Sequence, residues 1–398
     1  MTDLCQQHGT AVQKASPLEK AAALQDYLDH LQTVTTERSY YTTILKECKD
    51  SIITHYTVNG TFAPPPRIQA NSVPIKAHYS FEYAQQVHYP SDPLQPGPVF
   101  FLTPRKCAIF GVHCEAFPRQ VNFLCDEAGD CGKGSNTVIS QLHYFFEDHG
   151  LGETDVHLHA DNCSGQNKNN YMVWYLLWRV ITGRHTNITL SFLVVGHTKF
   201  APDWCFGLFK RLFRRTQIGS LRSIVDVVQK SGKCNEAQLI SNEEGRVIVP
   251  TYDWVTFFAP HFRKMPGIKK GRHLTFSSSR PGVVYTRESA DTVTEAHHNL
   301  LKEGATFDDH SELPDVITPV GLSAQRQWYL YEKIREFCPA ADRDVTCPLP
   351  SVPKPTSRQG TPELPSPTQS PPPPAKRPRH CARCKQPGHN SRTCSSST

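Results

Sequence analysis

The stretch DVHLHADNCSGQNKNNYMVWYLLWRVIT, residues 155–182, carries the decisive pattern of this 398-residue chain. DVHLHAD (155–161) has the short apolar character of a strand and ends on Asp161. A polar, glycine-containing loop follows, and KNNYMVWYLLWRVIT (168–182) is apolar enough around its circumference to be a largely buried helix. An acidic side chain at the carboxyl end of a strand, ahead of a loop and a helix, is where an α/β sheet presents its chemistry. Immediately downstream the layout repeats. NITLSFLVV (187–195) is a strand, and the loop after it carries His197 and Lys199. Asp203 then opens the helix PDWCFGLFKRLFRR (202–215), with Pro202 in the tolerated first turn.

Working upstream, HYSFEYAQ (78–85), GPVFFL (97–102), CAIFGVHCEAF (107–117) and QVNFLCDE (120–127) are expected strands. SNTVISQLHYFFEDHG (135–150) is an amphipathic helix with Val138, Leu142, Phe145 and Phe146 on one face. A third acid, Glu82, falls in the first of these strands. Strands in series, followed by alternating helix and strand, specify an α/β mixed sheet with flanking helices. This core spans 71–216, and 217–345 is an α+β extension of it, closing with a helix at 323–338.

Residues 1–62 form an N-terminal helical segment. Its stripe of Leu18, Ala21, Leu24, Leu28 and Leu31 is expected to pack on the main domain, with self-association through a short coiled coil as the alternative. Cys5 and His8 in this segment are two metal-ligand types without a visible second pair.

Charge is unevenly placed. The net charge of +6 resides in residues 375–398, where Lys376, Arg377, Arg379, Arg383, Lys385 and Arg392 meet no acid, while residues 1–374 balance. Twelve of the 32 prolines lie between Pro348 and Pro378, so 346–380 is expected to be a disordered Pro-rich linker with a basic cluster. No apolar run reaches the ~20 residues of a membrane span. MTDLCQQHGT (1–10) lacks a secretory pattern, which predicts an intracellular protein whose 14 cysteines are thiols or metal ligands. AKRPRH (375–380) is a nuclear localisation signal or further phosphate-contacting charge. The expected location is nuclear, with the cytoplasm as a second compartment.

CARCKQPGHNSRTC (381–394) places Cys381, Cys384, His389 and Cys394 in a Cys-x2-Cys-x4-His-x4-Cys pattern, a tetrahedral zinc set compact enough to fold around one ion. These residues resemble the zinc knuckle of retroviral nucleocapsids, and PGHNSRTC is similar to knuckles at the ends of Mutator-like transposases. The resemblance implies single-stranded DNA or RNA as ligand. Because the knuckle holds no aromatic residue for stacking, its binding is expected to be electrostatic and salt-sensitive.

Glu82, Asp161 and Asp203 resemble, in layout, the carboxylates of ribonuclease H-like nucleases and transposases. That resemblance implies two divalent ions, Mg or Mn, about 4 Å apart, with His197 and Lys199 steadying the scissile phosphate. Further, FEYAQQVHYP, TPRKCAIFG, CDEAGDCGKGSN, HADNCSGQNKNN, GHTKFAPDWCFG and YDWVTFF together resemble a transposon-derived animal family of unknown function over roughly residues 20–345. The resemblance implies a mobile-element origin and a ribonuclease H-like core, with no established activity. In that family the first motif usually carries Asp where this chain has Glu82, and the added methylene shifts the carboxylate by about 1 Å. Two functions follow. One is nucleic-acid binding through the zinc knuckle and basic tail; the alternative is Mg- or Mn-dependent cleavage or transfer of a phosphodiester by the acidic triad.

Overall fold

The computed structural model describes residues 4–63, 68–94, 97–116, 119–197, 199–242, 245–307 and 312–355. The zinc-ligand pattern, its basic residues and most of the Pro-rich linker lie outside these described residues. Residues 1–353 form one compact unit.

Its centre is a nine-stranded mixed sheet. In chain order the strands are β1 (Val73–Tyr89), β2 (Arg105–Cys114), β3 (Arg119–Asp126), β4 (Glu153–Ala160), β5 (Asn187–Phe192), β6 (Asn235–Leu239), β7 (His273–Ser277), β8 (Val283–Arg287) and β9 (Ala296–Asn299). They lie side by side as β9-β8-β7-β5-β4-β1-β2-β3-β6. The β1–β4, β4–β5 and β3–β6 pairs are parallel and the others antiparallel. Strands from 217–345 thus complete both edges of the sheet begun by the core.

Helices cover both faces. On one side α3 (Ser135–Asp148), α4 (Asn170–Ile181) and α7 (Trp254–Phe258) bury Leu142, Phe145, Leu177, Trp178, Trp254 and Phe258 against Tyr79, Phe81 and Phe110. The apolar run of α4 is shielded all round because the helix sits between the sheet and α7. Its start is set by Asn169, whose Oδ1 accepts from the backbone N–H of Tyr171 and Met172 at 3.0 and 3.1 Å. On the other side α5 (Ala201–Phe213) and α6 (Leu221–Ser231) pack Phe206, Phe209, Ile224 and Val228 onto Ala84, Ile109 and Leu124.

Also on this second side lies the long helix α2 (Lys20–Tyr56), preceded by α1 (Leu4–Lys14). Its buried residues are Glu37, Tyr41, Ile44, Cys48, Ile52 and Tyr56, all from the middle of the helix onward. The expected leucine stripe does not pack on the main domain: Leu18 is 96% exposed, Leu28 49% and Leu31 36%. Helical periodicity is the same along the whole element, and only its second half reaches the sheet.

Other elements differ from expectation in physically clear ways. GPVFFL is not a strand; Gly97–Phe101 is a 3-10 turn with Phe100 and Phe101 exposed, a short apolar run that finds no sheet neighbour. The closing helix is broken, with α-helix over Ala324–Tyr329, a π turn over Leu330–Ile334 and a 3-10 turn over Arg335–Phe337. The folded body also runs past the expected start of the linker, since Thr346 and Cys347 are buried and Trp328 Nε1 donates to the Val352 carbonyl at 3.0 Å. No described helix is long and apolar enough to cross a membrane, and no disulfide joins the described cysteines.

Candidate acidic centre and histidine–cysteine cluster

The sheet register brings two of the three expected acids together. In the parallel β1–β4 pair Phe81 stands opposite Ala160, so Glu82 and Asp161 are the next residues along adjacent strands. On its other side Glu82 stands opposite Gly111 of β2. A Cβ at Gly111 would lie 2.6 Å from Phe206 Cζ, so the missing side chain is what lets α5 settle onto the sheet at this level. Phe206 is three residues after Asp203, and the third acid is thereby delivered to the same place.

Electrostatics reports the convergence. Burial, then the charges of Asp203 and Asp161, push the Glu82 carboxyl up to about 8, and Lys210 of α5 opposes them. Glu82 Oε2 is buried and has no hydrogen-bond partner. Asp161 Oδ1 accepts from Cys163 N–H at 3.0 Å and from Asn167 Nδ2 at 2.6 Å, closing the turn after β4. Asp203 Oδ2 accepts from Phe200 N–H at 3.3 Å at the start of α5. Each aspartate is therefore both a local turn former and a neighbour of Glu82.

Lys210 also borders a cavity of about 560 Å³ between the end of β1 and α5, with Phe100, Phe213 and Arg214 among its walls. Arg211 on the same helix, and Arg214 and Arg215 just past its end, are exposed. Lys168, in the loop after Asp161, was not singled out from sequence. Its Nζ lies 4.8 Å from the Phe192 ring centroid and donates to Asn162 Oδ1 at 3.2 Å, and burial holds its ammonium down to about 8.

His197 and Lys199 occupy different surroundings. His197 Nε2 lies 3.2 Å from Cys5 Sγ and 3.2 Å from His30 Nε2, and Cys5 Sγ lies 3.5 Å from His30 Nε2. Among the described residues this is the one group of three His, Cys or acidic side chains whose ligand atoms all lie within 4.8 Å of one another. Thiol and imidazole donors are compatible with zinc. His8 stacks on the His30 ring, with centroids 4.8 Å apart. Lys199 is exposed, and the carbonyls of His197 and Lys199 both accept from Arg38 of α2, at 2.7 and 2.8 Å.

Beneath α2 runs a polar stripe that periodicity alone did not reveal. His78 Nε2 and His159 Nδ1 are 2.8 Å apart. Next to them Ser191 Oγ lies 2.8 Å from both His157 Nε2 and His273 Nδ1, and His273 Nε2 lies 3.0 Å from Glu37 Oε2. All six residues are buried, and burial pushes His78 down to about 3 and His157 and His159 well below the usual histidine range. The alternation in HLHAD was the available signal, because it puts His157, His159 and Asp161 on one strand face.

A family described as a domain of unknown function (DUF7869) matches residues 106–291. The match includes Asp161, His197 and Asp203 and stops short of Glu82, Cys5 and His30. No curated protein and no solved structure matches the chain.

Proposed function

We propose that this chain is a nucleic-acid-binding, zinc-binding protein of transposase descent. Its core is ribonuclease H-like, and the acidic centre on that core takes Mg or Mn. The observation that carries the reading is the meeting of three carboxylates: Glu82 and Asp161 follow the paired Phe81 and Ala160 on adjacent parallel strands, and burial, then the charges of Asp203 and Asp161, raises the Glu82 carboxyl. Carboxylates gathered from one strand, the end of its parallel neighbour and the helix after the next strand repel one another until a hard cation neutralises them. The strand order β3-β2-β1-β4-β5, with β4 and β5 parallel to β1, supports the same assignment.

Nucleic-acid capture rests on the tail, through zinc held by Cys381, Cys384, His389 and Cys394 and phosphate contacts from the surrounding lysines and arginines. The location that fits this ligand is the nucleus. On the body, Lys210 and Arg214 beside exposed Phe100 supply phosphate-pairing charge and a stacking face next to the acids. The second reading, phosphodiester cleavage or strand transfer, is favoured by that adjacency. Divalent ions would activate a water or 3′-hydroxyl and stabilise the leaving oxygen, while the carboxylates hold the ions.

Full-length protein should bind single-stranded nucleic acid with strong salt dependence, and deletion of 375–398 should remove most of it; full affinity in the truncated chain would overturn the tail assignment. Calorimetric titration with Mn should show binding that Asp161→Asn weakens at least tenfold. Equal affinity in the variant would overturn the acidic centre, and metal-dependent nicking abolished by the same substitution would establish the enzyme reading.

A further inference from the structure

We propose that Cys5, His30 and His197 are ligands of a second zinc ion, which fastens α1 and α2 to the loop between β5 and α5. The inference rests on how the three ligand atoms are spaced. For a tetrahedral zinc with Zn–S of about 2.3 Å and Zn–N of about 2.0–2.1 Å, ligand atoms stand roughly 3.3–3.6 Å from one another. The observed edges are 3.2, 3.2 and 3.5 Å. Hydrogen bonding among the three accounts for this triangle poorly. A neutral imidazole Nε2 offers either one N–H or one lone pair, yet each Nε2 here has two of the other atoms at contact distance. A cation between them lets each group direct its single lone pair to one point.

The donor set selects the metal. One thiolate and two imidazoles suit zinc, whereas the oxygen-only acids across the loop suit Mg or Mn. Three protein ligands with water in the fourth position is an established zinc arrangement. His8, stacked on His30, fixes the plane of that ring. The ligands come from α1, from α2 and from the loop that leads into α5, so the ion ties three separate segments. Arg38 reinforces the same junction from one side through the carbonyls of His197 and Lys199.

The test uses the full chain with Cys381→Ser and Cys384→Ser, which removes two ligands of the C-terminal pattern. Metal analysis after dialysis should find about one zinc per chain, and His30→Ala or His197→Ala should each reduce it to near zero. His30→Cys should retain it, separating lost ligation from misfolding. Cobalt(II) reconstitution should give thiolate-to-metal charge-transfer absorption that Cys5→Ser abolishes. Hydrogen exchange across 193–200 should rise at least tenfold in His30→Ala. Absence of stoichiometric zinc in the starting chain, or zinc content indifferent to His30→Ala and His197→Ala, would overturn the site. None of these readouts depends on nucleic acid or on the acidic centre.

Discussion

His197 and Asp203 stand six residues apart, and the two centres they enter are built in opposite ways. The acidic centre comes from the sheet itself: Glu82 and Asp161 are neighbouring positions across one parallel strand pair, and α5, seated with Phe206 on Gly111, brings Asp203 to them. Its groups are all carboxyls, and burial, then the charges of Asp203 and Asp161, push Glu82 up to about 8. The cysteine–histidine cluster instead draws on positions 25, 167 and 192 residues apart in sequence. Its ligand atoms, two imidazole nitrogens and one sulfur, rest at contact distance. Like-charged oxygen ligands stay apart until a cation arrives, whereas neutral nitrogen and sulfur donors can approach one another beforehand.

That contrast can be broken most sharply at Gly111. Gly111→Ala places a methyl group against Phe206 and Gln120, an overpacking expected to cost about 1–3 kcal/mol in urea unfolding. It should weaken Mn binding at the acids and leave zinc content unchanged. Loss of zinc together with Mn would mean that the two centres are one cooperative unit.

A second, similar effect concerns pH. Glu82 has a folded-state value raised above its unfolded one, so the folded state binds the extra proton. Stability therefore declines as pH rises from about 4.5 to about 8. Glu82→Gln should flatten this slope and add about 1–2 kcal/mol at pH 8, after allowance for solvent screening, with little change near pH 4.5. Thermal melts with and without Mn provide the check, since Mn should stabilise the parent at pH 8 more than the variant. An unchanged slope would remove Glu82 from the centre.

The smallest expected effect is at Arg38. Arg38→Ala removes two hydrogen bonds to the His197 and Lys199 carbonyls at a partly exposed site, a loss of about 1 kcal/mol. Zinc should remain bound but exchange faster with a competing chelator. An unaltered exchange rate would show that the ion alone holds the loop.

Much of the acidic centre was legible beforehand. Asp161 follows an apolar strand and precedes a helix, Asp203 lies in the first turn of the helix after the next strand, and those patterns depend on short-range periodicity. β2, β3, α3, α4 and α5 were recognisable for the same reason. His30 offered no comparable signal, because a histidine within a polar helical stretch looks like any solvated position. The exposed leucines of α2 misled in the other direction. Their spacing proves a helix with an apolar stripe, but says nothing about which half of a 37-residue helix has a partner.

Composition and local pattern thus suffice for the class of the body, for the sites where strands hand over to helices, and for the concentration of positive charge after residue 374. Contacts between distant segments required the folded chain. The nine-strand order, the approach of α5 over Gly111, the buried histidine stripe beneath α2 and the meeting of Cys5, His30 and His197 all depend on them. Periodicity records how each segment divides its surface between apolar and polar, whereas the pairing of those surfaces is settled by packing across the whole molecule.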